Sequence, residues 1–567
     1  MLCQPALAVE REEKGLNSLA AGMEAIFPEF LGEVRVSELP VLSGLPQKRV
    51  LPLLRSKKGA AELADKPPGE VLVPPPVVTP SGPPPWVFQK GWQGLSFAQA
   101  SGSPPDVSIG VGPSHVVETI NTTMAIWDKN GNLVAGPISL DTFFNTGSFF
   151  IADPKVVYDA ESGRFFLVLI GLDQVANLGR AWFATSNSAD PTGTWTTFVL
   201  VTETGTFPDY PGLGFCSDKV LVTANQFTVD LSAFTGAEYW VLNKADLVAG
   251  STTPAVTFFP PRTQFFTIQP AESQTPTTTQ YMIAVDNFVF TQNHFFAVTG
   301  VPGVTPVVEA ITVLPIADGS FPPDARQLGG PDIDAGDDRH LRATFRDGIF
   351  WAASTGACTP VGDLAPRACP RFTEIDVAGP TILQDFSYGL ATFDLIWPAL
   401  QTDADGNLAF VFTGSSPAQF AGLYFGGRLA LDPPNTASLP VLLKAGERSY
   451  DCTFCPEGRE RWGDYFHAVV DPVDGSLWVA GEYMGSPTSD DWATFIANLI
   501  RQEPTTTTSS TSSTSSTSST SSTSSTSSSS TTTTCPPPCK KCKKKRRRCH
   551  SGSDSSGSSS DSSGSGS

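Results

Sequence analysis

The sequence predicts an all-β chain built around a β-propeller of seven blades, with disordered N- and C-terminal extensions. Three observations predict it. The 567 residues include 50 Gly, 49 Pro and 37 Phe, with only 16 % charged residues; many turns and many aromatic strands are the mark of an all-β protein. Between Trp86 and Arg501 a polar turn followed at once by a short apolar run recurs seven times, the turns ending at His115, Arg164, Lys219, Gln280, Gly348, Asn407 and Ser476. A second mark precedes each turn: Pro105-Asp106, Asp153-Pro154, Asp209-Tyr210-Pro211, Gln269-Pro270, Arg339-His340, Trp397-Pro398, and the run from Arg461 to Tyr465.

The intervals between turns run from 49 to 69 residues. A four-stranded meander with variable loops has that length, and a solenoid coil is shorter. A β-sandwich with irregular strands is the alternative. Helical repeats are excluded by the β-branched and aromatic runs and by turn strings such as DKNGN, DADGN and DPVDG.

The rest of the chain divides by composition. Residues 1–65 read as an extension with a partly helical pattern, and 66–85 as a Pro-rich extended linker. The propeller is assigned to 86–503. Residues 504–534 are an almost pure Ser/Thr tract, which buries no apolar area and reads as a stalk. Residues 535–567 combine a Cys/Lys/Arg-rich tail with a Ser/Gly end. At the N-terminus Ala6-Leu7-Ala8 resembles the cleavage end of a secretory signal. No apolar run reaches the length of a membrane span.

Net charge is −19, and without the basic tail the body carries 29 basic against 54 acidic residues, net −25. Such a body repels phosphate, which argues against nucleic acid, and suits cations. The tail, by contrast, is suited to an anionic surface polymer or headgroup. Ten cysteines in a low-charge chain favour an oxidising compartment, hence a secreted or cell-surface location. Cys358 and Cys369 flank a Pro-containing loop and are expected to form a disulfide. Cys452 and Cys455 form a C-x-x-C. The tail cysteines are the place for a zinc knuckle, but they lack a second tight pair.

Ser188-Ala-Asp190-Pro-Thr-Gly193-Thr-Trp195 resembles the Asp box of sialidase-type propellers, with Gly one position late. The strings DPKVVYD, DYPGLGF and RWGDYFHAVVDPVDGSLWVAGEY are similar to those of secreted bacterial propellers of the sialidase-like, BNR-repeat type. The resemblance covers about residues 100–500. It implies a propeller; for activity it implies an arginine cluster clamping a carboxylate, a Tyr–Glu pair and an acid/base Asp. Arg339, Arg342, Arg461, Tyr210, Tyr465 and Glu482 are the ingredients present, while the Arg-Ile-Pro motif of that family is missing.

Equivalent positions in a propeller lie at equivalent heights around one axis. The expected ligand site is therefore a channel mouth formed by Asp106, Asp153, Asp209, Tyr210, Arg339, Arg461, Asp464, Tyr465 and Glu482. A ring of carboxylates there would take Ca²⁺, the one cofactor the sequence suggests; the alternative is that each Asp caps a turn in its own blade. The D-x-D-x-N string from Asp403 to Asn407 reads as hairpin chemistry, the run from Asp332 to Asp338 as a solvated acidic loop, and Cys216 as a core thiol. Asn121-Thr-Thr123 is a glycosylation sequon by pattern. Three functions remain open: a surface propeller binding glycan, peptide or ion; a sialidase-like glycoside hydrolase; or a structural spacer.

Overall fold

Arg164–Asp173, with the sequence RFFLVLIGLD, carries apolar side chains on both faces, as a strand covered on both sides must. In the computed structural model all its residues but the two at its ends are buried. The structure describes residues 23–42, 49–50, 74–100, 102–317, 319–453, 455, 460–485 and 492–502. The chain divides into two units, Met1–Pro504 and Thr505–Ser567, and every described residue belongs to the first. The signal-like Ala6-Leu7-Ala8, the Ser/Thr stalk and the cysteine-rich tail lie outside the described residues.

The architecture is an all-β propeller. Antiparallel meanders form its blades, each with its first strand nearest the axis. Phe150–Asp159, Arg164–Asp173, Leu178–Ser186 and Thr194–Thr204 make one, extended at its outer edge by Glu29–Arg35. Ser108–Val111 opens another, Phe265–Pro270 a third and Asp394–Thr402 a fourth. In the last, His467–Val470, Leu477–Met484 and Trp492–Arg501 are joined by Trp86–Ser96 from the other end of the domain.

The expected count of seven blades is corrected: five blades stand as sheets of their own. The remaining propeller strands lie in one continuous eleven-stranded sheet. The cause is the two-residue strand Glu272–Ser273. It pairs in parallel with Phe215 on one side and with Thr344 and Phe345 on the other, welding Thr206–Phe215 and its neighbours to His340–Arg346 and its neighbours.

Of the N-terminal extension, read from sequence as partly helical, residues 23–42 and 49–50 are described. Where described, it is in strands apart from a short 3₁₀ turn at Val36–Glu38. Glu24–Ile26 edges Val256–Arg262, and Val77–Val78 of the Pro-rich segment edges Thr381–Tyr388. Pairing of this kind satisfies backbone groups that an exposed edge leaves open.

Aromatic side chains fill the space between sheets; Phe372 meets Phe410 at 4.5 Å and Phe234 meets Phe266 at 5.2 Å. Hairpins close on the expected turn residues. Gly406 and Gly475 adopt φ of 76° and 71° and donate to the carbonyls of Asp403 and Asp471, a conformation that glycine reaches without strain. Cys358 and Cys369 form the expected disulfide, with Cα atoms 5.8 Å apart, and Cys452 pairs with Cys455.

Candidate functional site

The second mark has a backbone cause. Asp106, Asp153, Tyr210, Thr267, Trp397 and Asp464 all have φ between 52° and 56°. Each lies at or just before an innermost strand, and for Asp153, Tyr210, Thr267 and Trp397 the ladder register shifts there. These are β-bulges, which re-aim a side chain and leave one N–H without a ladder partner. A polar side chain from a neighbouring sheet takes up that N–H. Asn121 Oδ1 accepts from Asp153 at 2.8 Å, Asn225 Oδ1 from Thr267 at 2.8 Å, and Thr355 Oγ1 from Trp397 at 3.2 Å.

The bulges bring the expected site residues together, but inside the protein. Asp106, Asp153, Asp209, Tyr210, Arg339, Arg461, Asp464, Tyr465 and Glu482 are all buried. The Tyr210 hydroxyl donates to the Asp464 carbonyl at 2.8 Å, and that of Tyr465 to the Pro154 carbonyl at 3.1 Å. The two rings meet edge to face, with the Lys155 ammonium 4.7 Å from one and 4.2 Å from the other. Arg339 forks onto Asp337 at 2.7 and 2.8 Å. Arg461 donates to Asp464 at 2.7 Å and lies 3.9 Å from Asp334. Glu482 accepts the Gly463 N–H at 2.8 Å. Instead of an open mouth, the cluster is a sealed polar plug.

Burial and mutual repulsion disfavour the charged form of several of these carboxyl groups. Burial, then the Asp464 and Asp153 charges, push Asp106 well above the ordinary carboxyl range. Burial and Asp464 raise Asp153 to about 6. Asp209 and Glu482 are raised well above their usual values, burial again being the largest cause. Burial lowers Lys155 to about 7, helped by Arg342. Among the described residues no group of three or more His, Cys, Asp or Glu is placed to hold a metal ion.

Below the plug lies a second polar layer, of which sequence reasoning picked out only Arg342. Arg342 and His467 both bond Glu272, His467 Nε2 at 2.9 Å. His467 Nδ1 faces Ser108 Oγ at 3.0 Å and the Ile109 N–H at 3.0 Å. Burial lowers His467 to about 4, so its ring is neutral at pH 7, and Nδ1 accepts from the Ile109 N–H while Nε2 donates to Glu272. Serine, histidine and carboxylate thus align, yet the lone pair a general base would use is already taken by the backbone. Histidine on an inner strand was visible in the sequence; its partners, far apart in the chain, were not.

An open cavity lies at the other end of the inner strands. A pocket of about 310 Å³ lies among the hairpins that turn each inner strand outward, lined by Tyr158, Glu161, Ser217, Gln274, Arg346 and Asp471 among others. From Asp153 to Asp159 the strand covers roughly 20 Å, which separates this mouth from the plug. Its volume is within the range of small-ligand pockets.

Other expected features resolve individually. Segment 188–195 forms the turn from Leu178–Ser186 into Thr194–Thr204, with Trp195 buried and its indole donating to the Pro191 carbonyl at 2.9 Å. Asp403 accepts from the backbone of Asp405 and Asn407, as hairpin chemistry requires. The acidic run is not a solvated loop: Asp334, Asp337 and Asp338 are buried, because Asp334 and Asp337 neutralise the plug's arginines. Cys216 is a buried thiol that burial raises to about 11. Asn121 is buried too, its amide donating to Asp106 at 2.7 Å, so the sequon is structural in the folded chain.

No family model matches the sequence, and no curated protein does. Solved structures match the chain at low similarity. A protein of unknown function from Dyadobacter fermentans is 13 % identical, with a TM-score of 0.36 over 62 % of this chain and 96 % of that one. An exo-β-1,3-galactanase from Clostridium thermocellum is 11 % identical, with a TM-score of 0.30 over 74 % and 77 %. A Trypanosoma rangeli sialidase is 12 % identical, with a TM-score of 0.31 over 67 % and 57 %. No helix among the described residues is long and apolar enough to cross a membrane.

Proposed function

We propose that the protein is a non-catalytic ligand-binding propeller of the cell surface or exterior, taking a glycan in the axial pocket. One observation carries this reading. Each arginine that a sialidase-type clamp would use is buried and already engaged by a carboxylate of the protein: Arg339 by Asp337, Arg342 by Glu272, Arg461 by Asp464. A guanidinium in that state has no fork to offer a substrate carboxylate. The axial pocket, by contrast, is open, and its hydroxyl, amide and charged groups suit a hydroxyl-rich ligand. The two disulfides support an oxidising compartment.

The test is a survey of oligosaccharides against the whole chain and Ser217→Trp, which fills the pocket. Binding by the wild type and its loss in the variant is the expected result. Arg339→Met, in the plug, is expected to lower stability without changing specificity. Release of fluorophore from a sialoside would overturn the non-catalytic reading, and a blank survey would leave the structural spacer. Calcium, if it belongs to the plug, would raise the unfolding temperature of the wild type and not that of Asp106→Asn.

A further inference from the structure

We infer that the axial pocket recognises an acidic sugar, its carboxylate or sulfate group seated on Arg346. The inference rests on the pocket being the ligand site and names the ligand's charge.

The acidic body suggests a cation instead, so the lining charges must be compared. Asp159 accepts from Lys244 at 2.9 Å, and Glu161 lies 3.4 Å from the same ammonium. Asp471 accepts from Lys129 at 2.7 Å and from the Trp478 indole at 3.0 Å. Each carboxylate of the lining thus already has a lysine beside it, Asp471 its own and Asp159 and Glu161 one between them, and a cationic ligand would have to compete with those ammonium groups.

Arg346 is in the opposite condition. Its side chain is partly buried at the end of His340–Arg346. It makes two long bonds to neutral oxygens, 3.4 Å to Thr402 Oγ1 and 3.3 Å to the Thr402 carbonyl. Asp347 and Asp403 act on it through space, but among the described residues no carboxylate comes within ion-pair distance. A guanidinium has five N–H donors in a planar fork, and here most of them are uncommitted. Beside it, Ser273 Oγ is buried without a hydrogen-bond partner. Gln274 spends its side-chain amide only on a 3.4 Å contact with the Glu272 carbonyl. A partly desolvated fork with a hydroxyl and an amide next to it matches an oxyanion on a polyol: the fork takes the anion and the neutral groups take ring hydroxyls.

The experiment is calorimetric titration of the full chain with glucuronic acid, glucose 6-sulfate and glucose. At least one acidic sugar is expected to bind on the order of tenfold or more tightly than glucose. The tighter of the two shows whether the group is a carboxylate or a sulfate. Arg346→Gln should abolish the preference, and Arg346→Lys should retain part of it. Unfolding temperatures equal to the wild type's would establish that both variants are folded. Equal binding of all three sugars, or a preference surviving in Arg346→Gln, overturns the inference and leaves the pocket reading intact. If neutral glycans bind and Ser217→Trp removes them, only the acidic preference has failed. If none of the three sugars binds and the survey is blank as well, the pocket reading itself has failed.

Discussion

The side-chain amide of Asn225 holds Thr267 twice, accepting its N–H at 2.8 Å and donating to its hydroxyl at 2.8 Å. The bond joins two sheets at a bulge whose N–H has no ladder partner. Asn225→Leu removes both bonds and strands a buried N–H, at a cost of about 1–3 kcal/mol. Chemical denaturation should register this as a lower midpoint with an unchanged slope.

The plug is expected to impose a pH dependence. Folded Asp153 is raised to about 6 by burial and Asp464, above its unfolded value of about 3.9. Between those values the folded chain keeps a proton that the unfolded chain releases. Stability from this group is therefore full below about pH 4 and is lost as pH rises to about 6. His467, lowered to about 4, acts in the opposite sense, gaining stability from about pH 4 to 6.5. Asp153→Asn separates the two: relative to the wild type it should gain on the order of 2–3 kcal/mol between pH 4 and 7. A difference that stays constant with pH would refute the assignment.

Arg339 and Asp337 form a fully buried pair. Arg339→Met alone leaves a buried carboxylate and should cost about 3–5 kcal/mol. Adding Asp337→Leu should restore much of that loss. Thermal unfolding of the two single variants and the double variant measures the coupling.

The Cys358–Cys369 bridge closes a loop of 11 residues. Replacing both cysteines by serine should cost about 2–3 kcal/mol, and non-reducing peptide mapping of the wild type should recover the two segments linked.

Much of the fold was legible in the sequence because the bulges leave a local trace. A left-handed backbone favours Asp, and proline follows it at Asp153 and also follows the bulged Tyr210 and Trp397; these were the marks preceding each turn. The register slipped at Gln269-Pro270, where the bulged residue is Thr267. The blade count failed at Glu272–Ser273, since a two-residue strand has no periodicity to read. The strand Glu29–Arg35 in the extension was not legible because its partner, Thr194–Thr204, is more than 150 residues away. The depth of the predicted site residues was not legible: Arg339 is buried, held by Asp337. Arg346 drew no attention because it lies in an ordinary hairpin, and what distinguishes it is a partner it lacks.

Trp86–Ser96 is hydrogen-bonded to Trp492–Arg501, and Thr494 reaches the Leu95 carbonyl across 399 residues of chain. At translation rates of about 5–20 residues per second, the first of these strands waits roughly 20–80 s for the second. Until then the ring is a crescent with two unsatisfied ends, and no earlier segment can close it. Errors of synthesis are therefore unequal. A chain that stops short of Trp492 has every innermost strand, yet Leu477–Met484 and Trp86–Ser96 are both left as open edges, the kind of edge through which chains aggregate. A chain that stops just after Arg501 has everything the ring needs.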